Sequence, residues 1–150
     1  MTIDGKRLYP SDYVKYLGII IDSFLNWRFH TNVLAIKLCR ANAMLSKIRH
    51  YVSVNTLRML YYGIFHSIMT YGSQIWGQFL NTYVKRIANL QNKSNRIFNF
   101  AHFRTPANIY YKTNNILNLA NIVKLNNFLL VHDHYHNKLP STLKHIFSLY

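Results

Sequence analysis

The sequence predicts an α+β chain, predominantly α, with a short N-terminal β-hairpin followed by a thumb-like helical bundle of four to six helices. Three observations lead there. Residues 13–21 are a β-branched and aromatic run behind the turn residues Pro10-Ser11-Asp12, the pattern of a strand leaving a turn. From Arg28 onward, apolar residues recur at steps of three and four, the period of an amphipathic helix. Gly77, Asn81, Thr105-Pro106 and Pro140 then mark the breaks between helices.

The elements follow in order. Residues 6–9 form a first strand and residues 13–21 a longer second one, so residues 1–25 are read as one hairpin. Residues 23–27 connect, with Asn26 as helix cap. The first helix spans about residues 28–50, and Leu34, Leu38, Ala41, Leu45, Ile48 and Val52 form its seam. A second helix starts after Ser53, a good N-cap, and lines up Leu57, Leu60, Ile64, Ile68, Tyr71 and Ile75. Met59, Tyr62, Phe65, Met69 and Trp76 occupy its other faces, which predicts an interior helix at the centre of the fold. Gly77 and Asn81 break the pattern. A third helix covers about residues 82–100, with Tyr83, Ile87, Leu90, Ser94, Ile97 and Ala101 as its seam. Thr105-Pro106 opens a short helix to about Asn114. A longer helix spans about residues 119–137, and after Pro140 a last turn is expected over 142–147. Residues 26–104 thus make a bundle, and residues 105–150 add C-terminal helices packed on the same body.

Charge narrows the function classes. The 150 residues carry 18 Lys and Arg against four acids, all aspartates, for a formal charge of +14. Such a surface attracts polyanions, nucleic acid first and anionic membrane second. Half of the residues are hydrophobic, which argues against a disordered basic tail. Cys39 is the single cysteine, so an intrachain disulfide is excluded, and it is expected to pack as a small buried hydrophobe. No apolar run is long enough to span a membrane, and no signal-peptide pattern opens the chain. A soluble intracellular protein is expected.

Several residues carry a family resemblance. Tyr16-Leu17-Gly18-Ile19 is followed by Asp22, Leu25, Trp27 and His30, a YLG strand running into D-x-x-L-x-W-x-x-H. Tyr71-Gly72, Trp76-Gly77, Leu90-Gln91, Leu117-Asn118-Leu119 and Asn137-Lys138-Leu139-Pro140 come next in order. Taken together, this set resembles the region after the catalytic palm in reverse transcriptases of non-LTR, LINE- or jockey-like retrotransposons. The resemblance implies a primer-grip strand followed by the thumb of an RNA-directed DNA polymerase. It implies template–primer duplex, RNA–DNA or DNA, as partner, together with the palm and fingers of the parent polymerase. The family's Y-x-D-D motif has no counterpart here, and no two aspartates are adjacent. A two-metal site needs such a pair. The chain is therefore expected to be catalytically inactive alone and to hold no cofactor, magnesium belonging to the parent enzyme.

Each candidate feature has a plainer reading beside it. As a primer grip, Lys15, Tyr16, Leu17 and Gly18 would bring backbone and side chains to the primer's sugar and phosphate. Periodicity alone reads the same stretch as a core strand with a glycine bulge. Lys37, Arg40 and Lys47 on the first helix, with Lys85, Lys93 and Arg96 on the third, would track a duplex backbone. The plain reading is a solvated face, although such faces normally mix signs and these helices contain no acid. His132 and His136 share a helix face but lack a third ligand of zinc type nearby, so they read as chance clustering. The tyrosines and tryptophans at helical spacing read as core rather than as a base-stacking platform. Other function classes stay open: a free-standing basic helical protein, either a domesticated protein-interaction module or a structural remnant with no partner, or a peripheral membrane binder. The hairpin is read as an edge stripped of its cover, so deleting residues 1–25 is expected to raise solubility and leave the helices intact.

Overall fold

The computed structural model describes residues 11–78 and 82–140, together with Tyr9 and the backbone of residues 2–3 and 6–7. Two short antiparallel ribbons come first. β1 (Thr2–Ile3) pairs with β2 (Lys6–Arg7), and β3 (Tyr13–Tyr16) pairs with β4 (Ile19–Asp22). The expected pairing of residues 6–9 with 13–21 does not form, and 13–21 is not one strand. It doubles back at Leu17-Gly18, placing Tyr16 opposite Ile19 and Tyr13 opposite Asp22. Both turn residues have positive φ, 45° at Leu17 and 83° at Gly18. That is the two-residue hairpin turn whose twist matches the flanking strands, and the glycine adopts it without a Cβ clash. The glycine read as a mid-strand bulge is the turn itself.

The remainder is helical, giving the predominantly α chain with a small β-hairpin that the sequence predicts. α1 (Arg28–Ile48) buries Leu34, Leu38, Ala41 and Leu45, the expected seam. α2 (Val54–Leu60) starts on Ser53, whose side chain accepts the Thr56 N–H, and runs through a π-helical turn (Tyr61–His66) into α3 (Ser67–Thr70). Here the buried row is Leu57, Tyr61, Phe65 and Met69, not the expected 57-60-64-68 face. A strict every-fourth row drifts about 40° per step around a regular α-helix. The wider π turn takes up that drift and keeps the row on the core. Nor is this helix buried all round, since Met59 is 74% exposed.

Chain direction follows from the cross-contacts. Arg86 donates to Asn32 Oδ1 and Asn42 to the Leu90 carbonyl, so α1 and α5 (Thr82–Phe98) run parallel in direct contact, and the 54–70 helix packs against both. That helix ends earlier than expected, because Gly72 takes φ 61° before the single turn of α4 (Ser73–Trp76). α6 (Asn108–Thr113) starts after Ala107 instead of at Thr105-Pro106, and the Thr105 carbonyl accepts a hydrogen bond from Arg96 Nε at 2.8 Å. α7 (Leu119–Tyr135) is capped by Asn118, which accepts the Asn121 N–H. Gln91 joins three of these pieces: its amide N donates to the Tyr61 hydroxyl and the Leu117 carbonyl, and its Oε1 accepts the Leu119 N–H. Cys39 is exposed, contrary to expectation, on a flank of α1 outside the seam. Asn81 and the expected last turn over 142–147 lie outside the described residues.

Candidate nucleic-acid interface

The link from β4 into α1 carries the D-x-x-L-x-W-x-x-H residues, and each of its polar members has a structural task. Asp22 is buried, and its carboxylate accepts three backbone N–H groups: Phe24 at 3.2 Å, Asn26 at 3.1 Å and Trp27 at 2.8 Å. Those bonds tighten the connector so that Leu25 and Trp27 both take positive φ. Trp27 then turns its ring into the core, and Asn26 Oδ1 accepts the Arg28 N–H at the opening of α1. His30, one turn in, reaches back so that its Nδ1 accepts the Ile20 N–H at 3.3 Å. Burial, with Lys37 nearby as a second cause, holds its pKa below the ordinary imidazole value. Because Nδ1 accepts, the neutral ring carries its proton on Nε2, a buried donor without a protein partner.

The hairpin is fastened from the other side by α3 and α4. The Tyr71 hydroxyl donates to the Leu17 carbonyl at 2.6 Å, across the hairpin turn. Trp76 Nε1 donates to the Tyr71 carbonyl at 3.1 Å. A Cβ on Gly72 would lie 2.5 Å from Ile19 Cδ1, so this glycine lets β4 approach the bundle. Between the hairpin turn, α1 and α3 a cleft of about 290 Å³ remains. Gly18, His30, Lys37 and Tyr71 border it, over an apolar floor that includes Leu34 and Ile68.

The ten residues marked as contact candidates divide into three sets. Lys15, Tyr16, Leu17 and Gly18 are exposed along β3 and its turn, Tyr16 at 65% and Leu17 at 72%. Lys37, Arg40 and Lys47 are exposed on α1, opposite or beside its seam. The fold brings the first two sets together, since Gly18 and Lys37 border one cleft. Lys85 and Lys93 are exposed on α5, and neither borders that cleft. Arg96 is held by the Thr105 carbonyl. Of the two helix sets, only the first reaches the cleft, through Lys37. Sequence reasoning did not single out Asp22 as the residue that holds the connector, or His30 and Tyr71 as residues that border the cleft, although the D-x-x-L-x-W-x-x-H and Tyr-Gly spacings held the signal.

Hydrogen bonds tie down several arginines, but they do not neutralise charge. Among the described residues no Lys or Arg pairs with a carboxylate, and the one ion pair recorded is His132 with Asp133 at 3.4 Å. His132 and His136 lie ring to ring at 4.3 Å, and no group of three His, Cys, Asp or Glu side chains gathers among the described residues. Asp22 is already saturated by backbone donors and does not suit a metal-ligand role. The aromatics are split. Trp27, Tyr61 and Trp76 are core, and burial pushes the Tyr61 hydroxyl up to about 12, opposed by its bond from Gln91. Tyr13 and Tyr16, by contrast, face outward. No helix among the described residues is long and apolar enough to cross a membrane. Comparison with protein-family models, with curated proteins and with solved structures returns no match.

Proposed function

We propose that this chain is the primer-grip and thumb portion of a non-LTR reverse transcriptase, holding template–primer duplex by its backbone without reading its sequence. One observation carries the reading. A net charge of +14 sits on a surface whose described Lys and Arg residues have no carboxylate partners, and the exposed hairpin turn adjoins the Lys37 side of α1. Unpaired cations gain affinity for a polyanion by releasing its condensed counterions, and phosphate contacts carry no base information. Supporting it, the residues that carry the resemblance are those that join the elements: Asp22, Trp27 and His30 at the corner, Tyr71-Gly72 beneath the hairpin, and Gln91 at the α5–α7 junction. No chemical step is assigned to these residues.

The test is fluorescence anisotropy with an RNA–DNA hybrid and a DNA duplex of unrelated sequences. Both should bind alike, and log Kd should rise steeply with log salt. Charge reversal of Lys37, Arg40 and Lys47 should weaken binding uniformly across sequences, and reversal of Lys85 and Lys93 reports separately on the second flank. Binding indifferent to salt, or unchanged in both variants, overturns the reading. It would favour a protein-binding module, for which the exposed Val14, Tyr16, Leu17 and Phe24 supply an apolar surface.

A further inference from the structure

The cleft beneath the hairpin turn has a composition that duplex binding does not require. Its floor is apolar, with Leu34 and Ile68, and Val33 stands at its edge. One cation, Lys37, borders it, and no carboxylate does. His30 also borders it, is 6% exposed, and retains one unpartnered buried nitrogen. The other polar groups are committed: the Tyr71 hydroxyl to Leu17, and the Ser67 hydroxyl to the Gly63 carbonyl at 2.6 Å. A volume of about 290 Å³ lies at the small end of ligand sites.

We propose that this cleft is a binding site for a small monocarboxylate with an apolar body, the carboxylate set on Lys37 and the His30 side and the body against Leu34 and Ile68. The match is one of charge and donor number. A single ammonium with one further N–H suits the two oxygens of a carboxylate, and a phosphate dianion would call for more donors. Lys37 is shared with the proposed duplex surface, so binding here is measured without nucleic acid.

The experiment titrates the intact 150-residue chain, labelled for NMR, with phenylacetate and with its neutral isostere phenylacetamide. Phenylacetate should produce saturable shifts at His30, Leu34 and Ile68, and phenylacetamide should bind at least tenfold more weakly. Lys37→Met keeps the stem of an exposed side chain and should cost about tenfold in affinity, the usual scale of a charged hydrogen bond. Val33→Trp narrows the cleft from a partly exposed position and should abolish the shifts while the thermal melt stays unchanged. Equal binding of the amide overturns the proposal, as does unaltered binding in Lys37→Met. Shifts scattered over the Lys and Arg residues of α5 and α7 would overturn it too.

Discussion

β3 and β4 are neighbours in one hairpin, four residues each, yet they stand in opposite relations to the rest of the molecule. Every residue of β3 is exposed. β4 sends Ile19 and Asp22 inward, one into the core and the other onto the N–H groups of the connector. Both strands are similarly rich in β-branched and aromatic residues, so propensity does not separate them. The difference lies in what receives them: α1, Tyr71 and Gly72 form a seat for β4, and β3 has only β4 as a paired strand. The first strand is left facing water, and the second is built into the fold.

Deleting residues 1–25 is the strongest way to break this contrast. Were the hairpin an exposed edge, the helices would survive its loss. Because Ile19 and Asp22 go with it, we expect the deletion to abolish the cooperative thermal transition, whereas removing residues 1–11 should leave it in place; circular dichroism melts decide between these. Next in size is Asp22→Ala. It leaves three backbone N–H groups without their acceptor, at a cost of about 3 kcal/mol or more in urea unfolding. A change within about 0.5 kcal/mol, the scale of an ordinary surface site, would mean the corner is not held this way.

The two positive-φ glycines sharpen the comparison. Gly72→Ala combines φ 61° with a Cβ 2.5 Å from Ile19 Cδ1, and Gly18→Ala meets nothing nearer than 3.6 Å. The first should cost about 2 kcal/mol, the second about 1 kcal/mol from backbone strain alone. Equal costs would show that β4 is not seated against Gly72. On β3, Tyr16→Lys should change stability by less than about 0.5 kcal/mol.

The smallest effect is pH dependence. Burial lowers the pKa of both His30 and His66 in the folded chain below the ordinary 6.5. As pH falls below that value the unfolded chain takes up protons first, so stability is full above it and declines through the window beneath. Protonation of His30 also removes the acceptor for the Ile20 N–H. Urea midpoints between pH 8 and pH 5 should show this decline, and His30→Gln should make it shallower; an identical slope would remove His30 as a contributor.

Much of the fold was legible in the sequence because local periodicity carries it. The seam of α1, the Ser53 cap, the extent of α5 and the start of α7 all follow from spacing and cap chemistry in one segment. The excess of cations was legible too, since charge is a property of composition. Whether two strands pair with each other or each with itself is different, because it depends on which turn closes first, and Leu17-Gly18 closed the hairpin inside what reads as one strand. The π turn likewise answers to the core. Leu57, Tyr61, Phe65 and Met69 stay in line only because α1 and α5 stand where they do.

The sequence by itself determined a basic, mainly helical chain and the order of its elements. Tertiary structure alone decided that Gly18 and Lys37, nineteen residues apart by their numbers, border one cleft while Lys85 and Lys93 do not. Periodicity places a side chain on a face of its own helix. Only the packing of that helix on its neighbours decides what the face meets.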